Sequence, residues 1–303
     1  MKVYLNGASH WGSQNPRIAD GFRTCGHEVT PYISDASLVY SNDSHAQVIA
    51  DKVAGNLRPG AKVILTVLDL PLHLGPAFDY AGLKAQLAAA DAVCSISQYV
   101  QWQLRHYLGV ESTVIYQPTK PVQCDPAVRR RPFYRFAHVG RRSDLNKRAS
   151  LGYAALQLLG YTERDLCLVG NEPGWGDYQG VLNDENLNVV YNSVDFVFTL
   201  GLVEGLSLPT LEAMACGAVP VVCCDMTTRT ELLPPDLFPE YESVEPDPRS
   251  IATFLAGYLN DESGERLIDL QDRLHQHYWT TWADRCWPEA VAGEILKVHE
   301  TLK

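Results

Sequence analysis

The chain has 303 residues, of which 46% are hydrophobic and 20% charged, a globular composition with enough length for two domains of about 150 residues. Its formal net charge of −11 argues against a protein whose main task is to coat nucleic acid, because phosphate neutralisation requires clustered lysine and arginine. The N-terminal sequence MKVYLNG lacks the apolar core of a signal peptide, and no apolar run approaches the roughly 20 residues that span a bilayer. We therefore expect a cytoplasmic protein without integral membrane association.

In the first half of the chain, short apolar strands alternate with helical patterns. The strand MKVYLNG precedes RIADGFRTCGHEVTPYI, in which Gly26 ends a helix and HEVTPYI forms the next strand. The segment SHAQVIADKVAGNLRPG predicts a helix before the strand AKVILTVLDLP, and the strands AVCSI and STVIY enclose another helix before Pro118. Strands separated by helices predict a parallel sheet that is covered on both faces.

The second half repeats this alternation after a break. Residues 118–132 contain four prolines and an arginine triplet without periodicity, as expected of an interdomain linker. The predicted elements that follow are YRFAHVG, a helix near 147–160, LCLVG, a short helix near 185–192, VDFVFTL, AVPVVCC and a helical tail from about 248. The sequence thus predicts a second doubly wound α/β domain.

We place the domain boundaries from these patterns. The N-terminal domain is predicted at residues 1–122, the linker at 123–132 and the C-terminal domain at 133–282. A final helix is predicted at 283–303, packing back across the domains.

The cysteines and acidic residues indicate no metal site. The eight cysteines include the adjacent Cys223 and Cys224 but no CxxC motif, so neither a zinc ribbon nor a redox pair is indicated and we expect reduced, mostly buried thiols. The sequence has no DxD motif, and its histidines and cysteines show no ligand spacing. We therefore predict that no catalytic metal is bound.

The segment VEGLSLPTLEAMACGAVPVV carries the clearest functional signal. Pro209 suits the first turn of a helix and Gly217 a left-handed C-terminal cap, so a short helix begins just after the strand VDFVFTL. Ligands of doubly wound sheets bind at the carboxyl ends of strands, where a helix N-terminus offers amides to an anion. The predicted donor-binding residues here are Leu206, Ser207 and Leu208.

Two glutamates flank this helix start. A diphosphate would repel a carboxylate, so we expect Glu204 and Glu212 to accept hydrogen bonds from neutral diols. In this interpretation Glu212 binds ribose hydroxyls and Glu204 binds sugar hydroxyls. The alternative is a pair of solvated glutamates, since negative charge at a helix start is mildly stabilising by itself.

The whole segment resembles the signature EGFGLPxLEAMAxGxPVV of retaining glycosyltransferases of the GT-B, family 4 type. The segments ADAVCSISQYVQWQLRHYLGVESTVIYQP and FAHVGRRSDLNKR also resemble motifs of this family, and together with RIADGFRTCGHEVT and Glu231 they extend the resemblance over nearly the whole chain. The resemblance implies a GT-B fold, with two Rossmann-like domains facing a central cleft and a helical tail. It implies a nucleotide-sugar donor bound mainly by the second domain, and an acceptor bound mainly by the first.

The resemblance also implies the residues that hold the diphosphate. By matching positions, Arg141 and Lys147 would stabilise the departing phosphate charge, and with Glu204 they are the predicted catalytic residues. Their separation is one residue longer than in the family pattern, so Arg142 is an alternative to Arg141. The segment RRSDLNKR taken alone could be a solvated basic loop.

Further donor contacts follow from three glycine-containing loops. The segment FAHVGRRSDLNKR supplies Gly140, and LVGNEPGWGDYQG keeps Gly170 of the family's VGxG loop, with base recognition expected near Tyr178 and Val181. The first loop, NGASHWGSQ, is neither GxGxxG nor a P-loop, which disfavours a dehydrogenase or an NTPase. In the family this loop faces the donor phosphates and acceptor, which implies contacts from Gly12 and Ser13.

The acceptor side is less constrained. His10 in the first loop, Asp43 and His45 in SNDSH, and Asp69 in VLDLP are the candidate acceptor-binding residues. Many family members carry a histidine near the transferred sugar at the position that Leu68 occupies here, so that contact is not carried over.

These observations predict a metal-independent retaining glycosyltransferase that uses a nucleotide-diphosphate sugar, UDP-sugar or GDP-sugar first, as substrate and needs no cofactor. The default acceptor is a small molecule or a glycan. The basic, aromatic segment RRRPFYR keeps open a macromolecular acceptor such as a modified DNA base. The same sequence also leaves open a nucleotide-sugar epimerase or hydrolase, and a non-catalytic module that binds nucleotide sugars.

Overall fold

The computed structural model describes residues 1–6, 14–42, 45–70, 78–120 and 134–302. The chain folds into two compact units, one formed by Met1–Thr119 with Asp284–Lys303 and the other by Lys120–Ala283. The predicted linker at 123–132 falls outside the described residues. No helix in the described ranges combines the length and the apolar character that crossing a membrane requires.

Each unit contains a parallel sheet. In the first unit the described strands follow the order β2-β1-β3-β4-β5-β6. They are β1 Lys2–Asn6, β2 Glu28–Val29, β3 Leu38–Ser41, β4 Lys62–Val67, β5 Ala92–Ser95 and β6 Thr113–Val114. In the second unit the order is β11-β10-β7-β8-β9. These strands are β7 Phe136–Val139, β8 Leu166–Val169, β9 Asp177–Gly180, β10 Phe196–Phe198 and β11 Val219–Val221.

Helices connect the strands of both sheets. In the first half they are α1 Gln14–Thr24, α2 His45–Val53, α3 Tyr80–Ala89 and α4 Gln98–Gln103, which continues as a π-helical turn Leu104–Leu108. In the second half they are α5 Ala149–Leu158, α6 Asp184–Asn192, α7 Leu208–Cys216, α8 Arg229–Leu232, α9 Pro248–Leu259, α10 Glu265–His277, a π-helical turn Tyr278–Trp282, α11 Ala283–Cys286 and α12 Pro288–Thr301. The described part also has 3-10 turns at Ile33–Asp35, Leu145–Lys147, Glu163–Asp165 and Pro239–Ser243.

The strand orders create one switch point in each sheet. In the first sheet the chain leaves β1 toward β2 and returns on the other side as β3, and in the second it leaves β7 toward β8 and β9 and returns as β10. Loops at such a point diverge above the carboxyl ends of two adjacent strands and leave a crevice for a ligand. The loops after β1 and β3, and those after β7 and β10, are therefore where the fold concentrates candidate ligand contacts.

The C-terminal helix belongs to the first unit. Its buried residues Val291 and Ile295 share a core cluster with Val3 of β1 and with Ile18 and Phe22 of α1. At Gly21 of α1 a Cβ atom would lie 2.0 Å from the Pro288 carbonyl oxygen, so glycine permits the close packing of α1 and α12. Removal of such side chains from water contributes roughly 1.5–3 kcal/mol each, and α12 thereby completes the core around β1.

Helix α7 is the most buried helix near the second switch point. Residues 210–216 are all buried, and the small Ala213 and Ala218 share a core cluster with Tyr191 of α6 and Val197 of β10. Pro209 lies in the first turn and Gly217 ends the helix with φ 77°, as the sequence predicted. The tight packing fixes the N-terminal end of α7 next to the carboxyl end of β10.

The structure departs from the predicted elements at four strands. The segments LVYS and DYQG form β3 and β9, which the sequence patterns did not indicate. A four-residue stretch that is buried throughout, as β3 is, has too little alternation to be recognised. The predicted strands HEVTPYI and STVIY are reduced to Glu28–Val29 and Thr113–Val114, because each lies at an edge of the sheet and pairs on one side only.

Candidate active site

Lys147 and Glu204 form the centre of the candidate site. The Lys147 ammonium lies 2.7 Å from Oε1 and 3.0 Å from Oε2 of Glu204. Lys147 ends the 3-10 turn that follows β7, and Glu204 lies in the loop between β10 and α7. Since β7 and β10 are adjacent and flank the switch point, the topology itself brings together two predicted catalytic residues that are 57 positions apart.

Asn146 fastens the two loops to each other. Its side-chain Nδ2 donates to the Val203 carbonyl over 2.8 Å, its Oδ1 accepts from the Val203 amide over 2.8 Å, and its own carbonyl accepts from the Leu202 amide over 3.1 Å. Asp144 accepts a bond from the Asn146 amide over 3.0 Å and so caps the turn. Sequence analysis missed Asn146, although the Asp-x-Asn spacing is typical of a tight turn.

Gly201 gives the Glu204 carboxylate its space. A Cβ atom at Gly201 would lie 1.9 Å from Glu204 Oε1, so the carboxylate occupies the volume that any other side chain would need. Glu204 is 8% exposed, and its backbone amide donates to Thr227 Oγ1 over 2.9 Å. Lys147 therefore holds one side of the Glu204 carboxylate, and the backbone at Gly201 packs closely against the other side.

The two candidate diphosphate arginines lie in the loop that precedes this turn. Arg141 Nη2 is 3.3 Å from Asp144 Oδ2, and 57% of the Arg141 side chain is exposed. Arg142 packs on the backbone of Gly174, where a Cβ atom would come within 2.5 Å of its Cδ. Both arginine side chains are exposed. Hydrogen bonds from Ser143, with the nearby arginine charges, lower the pKa of Glu172.

Gly140 and Gly170 bring the loops after β7 and β8 into direct backbone contact. The Gly140 amide donates to the Val169 carbonyl over 3.0 Å, and a Cβ at Gly170 would lie 2.3 Å from the Gly140 carbonyl oxygen. Tyr178 of β9 donates its hydroxyl to the Gly170 carbonyl over 3.1 Å. Val181 follows β9 and is 77% exposed. Gly140, Gly170 and Tyr178 are therefore contiguous, while their contacts with a nucleotide stay predictions.

At the start of α7, some of the backbone amides that we expected to bind an anion donate hydrogen bonds within the turn. The Leu208 amide donates to the Leu206 carbonyl over 3.0 Å and the Thr210 amide to the Ser207 carbonyl over 3.1 Å, while Pro209 has no amide hydrogen. Ser207 Oγ accepts from Thr210 Oγ1 over 2.8 Å. The Leu208 and Thr210 amides thus bond within the turn, and donor binding by Leu206, Ser207 and Leu208 stays a prediction.

The Glu212 side chain is more deeply buried than we expected of a residue that binds ribose hydroxyls. It is 5% exposed on α7, and its Oε2 accepts a hydrogen bond from the Tyr191 hydroxyl over 3.0 Å. A carboxylate removed from water needs hydrogen-bond donors, and Tyr191 supplies one. Its contact with ribose stays a prediction.

A buried histidine that sequence analysis overlooked lies close to Lys147. His138 of β7 is 4% exposed, and neither ring nitrogen has a hydrogen-bond partner among the described residues. Burial, with a smaller effect of the Lys147 charge, lowers the pKa of His138 to about 4. The ring is thus neutral near pH 7 and adds no positive charge beside Lys147.

Two of the acceptor-side candidates lie in the described part of the first unit. His45 begins α2, and its Nδ1 is 3.2 Å from Ser41 Oγ, which also accepts a hydrogen bond from Asn6 over 3.0 Å. Asp69 is exposed and follows β4. Both residues follow the carboxyl ends of adjacent strands beside the first switch point. His10, Gly12, Ser13 and Asp43 fall outside the described residues.

The described ranges contain no cluster of three or more histidine, cysteine, aspartate or glutamate side chains that could hold a metal ion. The seven cysteines in these ranges form no disulfide with one another, and five of them are buried. In the described structure the Glu204 carboxylate is paired with the Lys147 ammonium.

Comparisons with known proteins give a short sequence match and a fold. No protein-family model matches the chain. Over 64 residues, which are 21% of this chain and 16% of the other protein, the chain is 41% identical to the O-antigen chain mannosyltransferase B of Escherichia coli. The match therefore spans about a sixth of that curated relative.

Solved structures match nearly the whole chain. Sucrose-phosphate synthase from Thermosynechococcus elongatus superposes with a TM-score of 0.77 at 15% identity, over 100% of this chain and 99% of that one. The Anabaena protein HepE in complex with UDP-glucose superposes with a TM-score of 0.71 at 15% identity, over 99% of this chain and 100% of that one. At these identities the likeness shows the fold alone: the chain has the GT-B fold of glycosyltransferases, which confirms the predicted fold class.

Proposed function

We propose that the protein is a glycosyltransferase that moves a sugar from a nucleotide-diphosphate donor to an acceptor hydroxyl, with retention of configuration and without a metal. The observation that carries this proposal is the Lys147–Glu204 pair at the switch point of the second sheet. The GT-B fold supports it. A UDP-sugar is our first candidate donor, because HepE, of the same fold, is described in complex with UDP-glucose.

The pair suggests how the site handles the donor. In the structure, Glu204 neutralises the Lys147 ammonium at 2.7 Å. A diphosphate bound near Arg141 or Arg142 would compete for Lys147, and the freed Glu204 oxygens would accept hydrogen bonds from sugar hydroxyls. Lys147 and the arginine would then stabilise the phosphate charge that develops as the glycosidic bond breaks.

Retention of configuration follows, in this proposal, from front-face chemistry. The diphosphate leaves from the same face at which the acceptor hydroxyl attacks, and its oxygen accepts the proton of that hydroxyl. The protein contributes position and charge stabilisation. We therefore expect turnover in the presence of a chelator, and product NMR should show the anomeric configuration of the donor.

Thermal-shift measurements with UDP-, GDP-, ADP- and dTDP-sugars test donor binding. One nucleotide series should stabilise the protein, by about 2.7 kcal/mol at a concentration of 100 Kd. The proposal fails if no member of the panel shifts the melting temperature and no sugar transfer is detected by mass spectrometry.

Substitutions at Lys147 and at Glu204 test the different roles that we propose for these two residues. Lys147→Met should weaken binding of UDP and of the UDP-sugar alike, because both carry the diphosphate. Glu204→Gln should retain or strengthen UDP binding, because it removes the negative charge that competes with the diphosphate for Lys147, and it should remove the extra affinity that the sugar provides. Lys297→Met is the matched control, because Lys297 makes a 2.6 Å ion pair with Glu294 on α12 in the other unit, and it should bind both ligands like the wild type.

A further inference from the structure

Arg148 has a strained backbone directly after Lys147. Its φ of 49° and ψ of 32° are left-handed, and within the described ranges it is the one residue other than glycine with a positive φ. Side chains of L-residues rarely adopt this conformation, and it persists where surrounding contacts hold the residue in place. The contacts of Arg148 therefore bear on the geometry of Lys147.

Those contacts run to the loop that follows β11. Arg148 Nη1 and Nη2 bind Oδ1 and Oδ2 of Asp225, each over 2.8 Å, and 17% of the Arg148 side chain is exposed. Two parallel bonds between a planar guanidinium and a carboxylate fix direction as well as distance, which a lysine cannot reproduce. The pair joins residues 77 positions apart.

The same loop also holds Glu204. Thr227 Oγ1 accepts from the Glu204 amide and donates to the Glu204 carbonyl, both over 2.9 Å. The Thr227 amide donates to the Leu202 carbonyl over 3.0 Å. Within three consecutive residues, 225–227, the loop thus contacts both the neighbour of Lys147 and the backbone of Glu204.

We propose that Arg148, Asp225 and Thr227 are positioning residues that hold Lys147 and Glu204 in the geometry required to bind a nucleotide diphosphate, an inference that rests on the proposed function. The left-handed turn at Arg148 directs the chain from Lys147 into α5, and the clamp to Asp225 keeps that turn in place. Thr227 fixes the opposite side of the pair. Because all three act through Lys147 or Glu204, none needs to touch the donor.

Replacing Arg148 with glycine tests its effect on ligand binding separately from its effect on the stability of the fold. Glycine adopts positive φ without strain, so Arg148→Gly should melt close to the wild-type temperature although it loses the clamp. We expect it to bind UDP and UDP-glucose about tenfold more weakly by calorimetry. Arg148→Lys keeps the charge but not the bidentate geometry, and it should fail to restore affinity. Asp225→Asn and Thr227→Val should weaken binding in the same direction.

The matched control is an equivalent clamp elsewhere. Arg105 binds Glu111 through Nε and Nη2 over 2.9 and 2.6 Å in the first unit. Glu111→Gln breaks this pair and should leave both affinities unchanged. If Arg148→Gly and Asp225→Asn bind UDP within about twofold of the wild type, the positioning proposal is wrong.

A second measurement does not depend on the donor. Crystal structures of Arg148→Gly and Asp225→Asn report the distance between Lys147 Nζ and the Glu204 carboxylate. Separation beyond about 4 Å supports the proposal, and a retained ion pair within that distance contradicts it. If the wild type binds neither UDP nor UDP-glucose, the proposed function fails for this donor class, and the crystallographic distance then decides the positioning proposal separately.

Discussion

Tyr191 of α6 donates its hydroxyl to Oε2 of Glu212 on α7 over 3.0 Å, inside the core of the second unit. Tyr191 is 1% exposed and Glu212 is 5% exposed, so water is a poor substitute for this bond. The helix that begins at the candidate site is thereby tied to its neighbour through the carboxylate that the sequence singled out.

Tyr191→Phe should therefore destabilise the fold. A hydrogen bond to a charged group contributes about 1.5–3 kcal/mol, and we expect the free energy of unfolding in urea to fall by that amount. Tyr178→Phe is the control, because the Tyr178 hydroxyl bonds the Gly170 carbonyl at a residue that is 38% exposed. A loss as large in the control would contradict the importance of burial at Tyr191.

Asn146→Ala should loosen the loop that carries Glu204. The substitution removes both side-chain bonds to Val203 and should cost about 2 kcal/mol of stability at roughly 1 kcal/mol for each bond. Donor affinity should fall as well, since Lys147 follows Asn146 directly. Asn56→Ala, which removes a 3.0 Å bond to Asp51 on the surface, should change neither quantity measurably, and calorimetry with denaturation curves compares the two.

Gly201→Ala should disturb the ion pair with little effect on the fold. The added methyl group would meet Glu204 Oε1 at 1.9 Å, and the end of a flexible side chain can move away from it. We expect weaker binding of the UDP-sugar and a free energy of unfolding within about 1 kcal/mol of the wild type. Gly293→Ala in α12 meets no atom within 4 Å and should raise stability by up to about 1 kcal/mol without changing affinity.

Stability should fall with acid because of His138. Its folded-state pKa is about 4, below the value near 6.5 of an unfolded histidine. Between these values the unfolded chain binds the proton that the folded chain excludes, so this contribution is full above pH 6.5 and is lost as the pH falls toward 4. The loss amounts to about 3 kcal/mol. Denaturation curves at pH 7.5 and pH 4.5 measure it.

His138→Leu isolates this contribution. The variant should unfold with a smaller pH dependence and be more stable than the wild type at pH 7.5, because it removes a buried donor without a partner in the described structure. His277→Leu is the contrasting control. Burial lowers the pKa of His277 as well, but His277 Nε2 is 3.0 Å from the Leu232 carbonyl, so its loss should destabilise at pH 7.5. A destabilised His138→Leu at that pH would contradict the prediction.

Helix α7 is an element whose two ends could be predicted from local sequence patterns. Pro209 and Gly217 predicted its two ends, and both lie where expected because a helix start and a left-handed cap are properties of adjacent residues. The strand β3, by contrast, was missed. Its residues Leu38–Ser41 are all buried, and short buried strands lack the alternation that marks a strand with one face in water.

The candidate-site residues also fall into two groups, those that the sequence indicated and those that only the structure revealed. Sequence analysis singled out Lys147 and Glu204 one by one, but Asp225 and Thr227 carry no local signal. Asn146 could have been recognised from its turn, whereas its partner Val203 could not. The pairing of Arg148 with Asp225 joins segments 77 positions apart, and only the order of the strands decides which distant segments become neighbours.

The sequence by itself determined the alternation of strands and helices, the two doubly wound units and the segment from which Glu204 and Glu212 project. Hydrophobic periodicity and helix ends depend on residues that are close together in the sequence, so they can be predicted without a structure. The tertiary structure alone decided that β10 returns beside β7 and closes the 2.7 Å contact between Lys147 and Glu204. It also decided that Glu212 faces Tyr191 in the core, because burial depends on packing between elements distant along the chain.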